Sequence, residues 1–129
     1  MKKLMILTLA TLSFMACQEP LEKRAEREAT EYTEKNCPLL MNSFQVLDSF
    51  TFDKATHTFG YYYSLKGMMD TVAAIQPDQQ HKILLDAVKN TTNLKAYKDE
   101  NYSFKYIYRS HKDPQLLIYE TTILPEEYK

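Results

Sequence analysis

The chain has 129 residues, with 16 lysines and arginines against 17 aspartates and glutamates, for a net charge of −1. So even a balance leaves no basic surface to neutralise phosphates, which argues against nucleic acid as a partner. Only two glycines and two cysteines are present, too few for a glycine-rich phosphate loop or a disulfide scaffold.

The first seventeen residues read as an export signal. Lys2 and Lys3 precede an apolar run from Leu4 to Met15, and the small Ala16 stands before Cys17. The run is too short to remain as a membrane span, which needs roughly 20 apolar residues. Phe14-Met15-Ala16-Cys17 resembles the lipobox of bacterial lipoproteins. The resemblance implies that residues 1–16 are removed and that Cys17 carries lipid, so that the chain is anchored to a membrane rather than spanning it. Loss of Lys2 and Lys3 with the leader takes the net charge from −1 to −3. Cys37 then has no cysteine partner; beside Pro38 and without a nearby histidine it reads as a buried small hydrophobe rather than a nucleophile.

Residues 17–36 carry many charges and few large apolar residues. Leu21, Ala25, Ala29 and Tyr32 recur at helical spacing, which predicts a charged N-terminal helix or spacer, solvated or weakly docked. Asn36-Cys37-Pro38 breaks it. A single domain is expected over residues 37–129, able to fold without the segment before it.

Two alternating segments follow, with Phe44, Val46, Phe50 and Phe52 on one side of the first and Phe59, Tyr61, Tyr63 and Leu65 on one side of the second. Period two predicts strands, and Asp53-Lys54-Ala55-Thr56 suits a hairpin between them. Asp48 interrupts the first apolar face, which suits the mark of an edge or a bulge more than its alternative, a catalytic carboxylate. Pro77 and Asp78 start a helix whose apolar face is Ile83, Leu84, Ala87 and Val88. It ends at Asn90-Thr91-Thr92-Asn93, and Leu94 to Lys98 adds a short turn. Met68 to Ile75 is read as a further short helix. Two more strands carry Phe104, Tyr106 and Tyr108, then Leu117, Tyr119 and Ile123, joined by the turn His111-Lys112-Asp113-Pro114. The predicted fold is α+β: an antiparallel sheet of about four strands in the order ββ-α-ββ, with helices on one face. Phe59-x-Tyr61-x-Tyr63 and Phe104-x-Tyr106-x-Tyr108 echo one another.

In leader, size, the Cys37-Pro38 start of the domain and the tyrosine-rich strand pairs ending in Leu124-Pro125-Glu126-Glu127-Tyr128, the chain resembles small uncharacterised lipoproteins common in Bacteroidetes. What that resemblance implies is location at the outer membrane, periplasmic or surface-facing, rather than an activity.

Chemical motifs are sparse. His57, His81 and His111 fall in three different elements, and neither an H-E-x-x-H helix nor a C-x-x-C pair occurs, so no metal or cofactor is expected. No G-x-S-x-G elbow is present, and Glu120 has no carboxylate partner at glycosidase spacing. The ten tyrosines and six phenylalanines are the main resource. The residues in step on single strand faces are expected in the core, whereas Tyr62, on the other side from Tyr61 and Tyr63, is the candidate binding surface. The sequence thus points to a non-catalytic, lipid-anchored envelope domain that binds a protein partner or is part of a surface assembly. Two alternatives stand beside it: a glycan-binding accessory lipoprotein using strand tyrosines, and a small enzyme or enzyme inhibitor whose site is assembled only in the fold.

Overall fold

A computed structural model describes residues 19–129, so the leader and Cys17 lie outside the described residues. Helix α1 (Leu21–Asn36) leads into strands β1 (Leu39–Asn42), β2 (Gln45–Asp53) and β3 (Thr58–Leu65). A 3-10 turn at Gly67–Met69 precedes helix α2 (Pro77–Asn90), after which a second 3-10 turn at Thr92–Leu94 runs into helix α3 (Lys95–Asp99). Strands β4 (Ser103–Ser110) and β5 (Leu117–Ile123) and a last turn of helix, α4 (Pro125–Tyr128), complete the described chain.

The architecture is α+β, and the sheet has five strands in the order β1-β2-β3-β4-β5. Two expectations need correction. The sheet is mixed rather than antiparallel, because β3 and β4 run parallel while every other neighbouring pair is antiparallel. The helical region between them is long enough to carry the chain back to the end of the sheet it left, which a hairpin cannot do. The additional strand is β1, four residues directly after Pro38 that are too few to show alternation. The predicted hairpins β2–β3 and β4–β5 are both present. Of the helix predicted over Met68–Ile75, only the turn at Gly67–Met69 forms.

The register explains the aromatic pattern. Phe52, Phe59, Phe104 and Ile123 lie side by side across four strands; Phe50, Tyr61, Tyr106 and Thr121 form the next row, and Leu47, Tyr63, Tyr108 and Tyr119 the third. The echoed motifs of β3 and β4 are therefore in register, so that like stacks on like: ring centroids of Tyr61 and Tyr106 are 4.6 Å apart at 5° between planes, and those of Tyr63 and Tyr108 are 4.8 Å apart at 12°. Asp48 is the extra residue of a bulge in β2, since Leu47 pairs with Tyr63 and Ser49 with Tyr62. The bulge reverses the parity of the strand. Leu47, Phe50 and Phe52 thereby share the core face, whereas Phe44, expected among them, is exposed. A like irregularity between Leu117 and Tyr119 leaves Leu117 exposed and turns Ile118 toward the core.

The helices cover one face of this sheet. Helix α1 packs along β2, and α2 packs on β5 and α4. In α2 the inward residues are Leu84 and Val88, while Ile83 is 51% exposed, a rotation of about one position from the predicted face. Helix α1 forms, and it is docked more closely than the solvated or weakly docked segment expected. Ala25 and Ala29 are 0% and 2% exposed, because alanine lets the helix axis approach the sheet closely even though it buries little area. Thr33 adds a polar seam: its Oγ1 donates to the Phe50 carbonyl at 2.7 Å and accepts from the Phe50 N–H at 2.9 Å. At the start of α1, Glu22 meets His57 Nε2 at 3.2 Å in the β2–β3 turn.

On the uncovered face Tyr62 folds back over Gly60, where an added Cβ would lie 2.9 Å from its ring and 2.7 Å from Thr51 Oγ1. Only glycine fits beneath the ring.

Two stability outcomes follow from this packing. Phe59→Ala, deleting a ring that is 1% exposed, is expected to cost roughly 3–5 kcal/mol, while Tyr62→Ala costs much less; thermal melts of the two variants check the order. A chain beginning at Asn36 is expected to melt well below one beginning at Gln18, because it strips the cover from β2; equal midpoints would show α1 to be dispensable.

Candidate functional site

Because α1 sits over β2 and α2 over β5, the middle of the sheet is only partly covered. The gap is a groove of about 450 Å³. Its walls are Glu28 and Tyr32 of α1, Leu84 and Ala87 of α2 and Thr91 just after it; Leu94, Tyr97 and Met41 of β1 also line it, and Phe50, Tyr61, Tyr63 and Tyr106 form the floor. Tyr32 and Met41 are 39% and 49% exposed, although both are the apolar kind of residue a partner would cover.

The floor is uncharged. Burial, with the neighbouring phenols adding to it, raises Tyr61, Tyr63 and Tyr106 far above the usual tyrosine range, so all three stay neutral hydroxyls. The charges at the rim are engaged elsewhere: Glu28 accepts from Arg24 at 2.7 Å and from the Tyr97 hydroxyl at 2.8 Å. An adjoining hollow of about 620 Å³ between α1 and α3 is lined by polar residues, but its ions also pair among themselves, Arg24 with Glu28 and Lys95 with Asp99 at 2.8 Å. Neither space presents a free charge cluster of the kind that holds a phosphate or a carboxylate substrate.

The other titratable cluster joins α2 to β5 and α4. His81 Nδ1 is 2.6 Å from Thr121 Oγ1, and its Nε2 is 2.6 Å from Glu127 Oε1. The second Glu127 oxygen accepts the Leu124 N–H at 2.8 Å, so both carboxylate oxygens are used within the fold. Burial pushes the Glu127 carboxyl up, but the Leu124 N–H and His81 together more than offset this and hold it below the usual glutamate range. This is a clasp for the C-terminal turn. Among the described residues no group of three or more His, Cys, Asp or Glu is placed to hold a metal ion.

The residues singled out in the sequence are dispersed. Cys17 lies outside the described residues, and Tyr62 is on the face away from the groove, 36% exposed. His57 pairs with Glu22 and stacks on Tyr102 at 4.7 Å, and Glu120 pairs with Lys105 at 3.1 Å. Asp48 is an exposed bulge residue reached by the Ser64 hydroxyl at 3.2 Å. Cys37 is half-buried, and burial raises its thiol. The groove itself was missed, because its walls come from helices whose spread on the sheet has no sequence signature. One signal did exist: echoed aromatic motifs stack in register only if their strands run parallel, and that pairing builds the floor.

Comparison with known proteins agrees with the fold. Residues 20–118 match the family described as a domain of unknown function, DUF8479. The chain belongs to that family. No curated protein matches it significantly. Among solved structures it is similar to a candidate secreted protein of Pseudomonas aeruginosa at 16% identity and a TM-score of 0.68, covering 84% of this chain and 93% of that one. It is also similar to a pilotin of the Vibrio vulnificus type 2 secretion system at 12% identity and a TM-score of 0.63, over 84% and 92% of the two chains. A type II secretion pilotin of Vibrio cholerae matches at 15% identity and a TM-score of 0.60, over 83% and 91%. At such identities the likeness is one of fold. Among the described residues of this family member, no helix is long and apolar enough to cross a membrane.

The clasp has a pH signature. A carboxyl held below its ordinary value in the fold contributes stability above the usual glutamate range, and that contribution is lost as pH falls through the lowered value. Thermal melts from neutral pH down through the carboxylate range are therefore expected to fall for the wild type, and to fall less steeply for Glu127→Gln, which starts lower; parallel curves would show that Glu127 contributes nothing.

Proposed function

We propose that this chain is a non-catalytic, lipid-anchored domain of the cell envelope, held at the outer membrane through Cys17, that binds a segment of a protein partner in the groove between α1 and α2. The groove carries the reading: an uncharged, aromatic-floored trough left open between two docked helices, with exposed Tyr32 and Met41 at its edge. Such a surface fits apolar side chains of a polypeptide. Two of the structural neighbours are named as pilotins of a secretion system, proteins that work within an assembly, and this chain shares their fold. The lipobox-like leader, and the resemblance to small lipoproteins of Bacteroidetes, support the anchor. The role requires neither cofactor nor metal.

The glycan reading is weaker on one observation. Sugars stack on the flat face of an aromatic ring, but the faces of Tyr61 are covered by Phe50 at 4.7 Å and by Tyr106 at 4.6 Å. Ring edges and hydroxyls are what the groove offers.

Two experiments test the proposal. A fatty-acid analogue is expected to label wild type but not Cys17→Ala, and the variant to leave the membrane fraction; retention of Cys17→Ala with no label on wild type overturns the anchor. A photo-crosslinker placed at Thr91 is expected to give a discrete protein adduct in the native envelope, and one at Tyr62 none. Ala87→Trp, which fills the groove from an exposed helix position, should abolish that adduct without lowering the melting temperature. An adduct that survives Ala87→Trp removes the groove from the proposal.

A further inference from the structure

Resting on the groove as the partner site, we propose that the segment it holds is a stretch of polypeptide whose apolar face carries uncharged hydrogen-bonding side chains, serine, threonine, asparagine or glutamine, read by the hydroxyls of Tyr61, Tyr63 and Tyr106.

The observation is a contrast among tyrosines. Around the core, four phenol hydroxyls find partners: Tyr97 donates to Glu28, Tyr119 to the Pro77 carbonyl and Tyr128 to the Tyr102 carbonyl, while Tyr108 accepts from Gln80; the unpartnered hydroxyl of Tyr102 belongs to a separate hollow beside His57 and Glu22. The three hydroxyls on the groove floor have no hydrogen-bond partner among the described residues, and none of them is sealed from solvent. In the empty groove water can serve them. An occupant expels that water, so a wholly apolar surface, an acyl chain included, would leave three donors unpaired in an apolar setting.

Charge complementarity narrows the partner further. The floor is neutral, and the one ion at the rim among the described residues, Glu28, is paired with Arg24 and with the Tyr97 hydroxyl. A carboxylate or ammonium group entering the groove would lose its hydration and meet no counter-charge. A sugar finds the Tyr61 ring faces occupied. What remains is a neutral polar group set among apolar side chains, the combination found along one side of a polypeptide segment. The hydroxyls then act as a specificity device: they penalise segments that are apolar throughout, and so reject unspecific hydrophobic contacts in a crowded envelope.

The test is a phage-displayed library of amphipathic peptides selected on the full chain, purified in detergent. Selected sequences are expected to carry a serine, threonine, asparagine or glutamine within the apolar face. Tyr61→Phe, Tyr63→Phe and Tyr106→Phe keep the rings and are expected to melt as wild type, because each hydroxyl lacks a partner in the fold. Each is expected to weaken binding of the selected peptides roughly three- to tenfold, the worth of one neutral hydrogen bond. Peptides with an unbroken apolar face, bound equally well by the phenylalanine variants and lost in Ala87→Trp, overturn this inference and leave the groove standing as the partner site. An empty selection, or binders indifferent to Ala87→Trp, overturns the groove reading itself. Oligosaccharides that bind the wild-type chain and are lost in Ala87→Trp overturn the choice of a polypeptide.

Discussion

The pairing of β3 with β4 is the constraint on which the rest of the structure depends. These two strands lie at the centre of the sheet, run parallel and carry the same aromatic spacing, so their rings meet face to face in register: Phe59 on Phe104, Tyr61 on Tyr106, Tyr63 on Tyr108. A slip of one residue would turn the three rings of one strand to the other face, and a slip of two would set phenylalanine against tyrosine along the stack. The flanking strands add to the same rows. The bulge at Asp48 places Phe50 and Phe52 beside Tyr61 and Phe59, which a regular β2 carrying Leu47 inward could not do.

From this centre the helix placement follows. Parallel strands need a crossover, and the crossover supplies α2, which settles over β5 and the C-terminal turn. Helix α1 arrives from the other side and settles over β2. Neither covers the middle rows fully, and so the residues that hold the sheet together are also the residues it displays. Phe59 is sealed beneath Tyr97, and Phe104 lies between Phe59 and Tyr128. One and two steps along the same strands, Tyr61 and Tyr63 face the groove. Core and candidate site are thus one continuous surface, and the change from phenylalanine to tyrosine along β3 and β4 marks where one becomes the other.

Much of this was readable in the residues, for reasons that can be named. Alternation in β3 and β4 and the proline start of α2 are local signals, and local signals gave the elements and the α+β class. The bulge at Asp48 was visible as a polar residue breaking an apolar face, but its effect on parity was not, since alternation alone cannot say on which side the pattern resumes. For that reason Phe44 was placed inward and Leu47 was overlooked. Helix α1 docks more closely than its composition suggests, because hydrophobic content measures area, whereas Ala25 and Ala29 act through their smallness. Strand direction and the spread of the two helices are properties of the assembled layers, so the groove had no local signature. Tyr62, chosen for facing away from its neighbours, is held down over Gly60 by its own strand.

The hydroxyl of Thr33 has a consequence beyond holding a helix in place. Strand β1 pairs with β2 only as far as Gln45 to Leu47, so past that point β2 is an outer strand whose backbone would be open to any extended chain nearby. Thr33 occupies both the N–H and the C=O of Phe50, and α1 lies along this border with its charged side outward. A bare border of this kind is a template for intermolecular β-pairing. Wherever copies of the chain meet often, a helix sealing that border is insurance against aggregation, and losing its grip would expose the chain to its own neighbours.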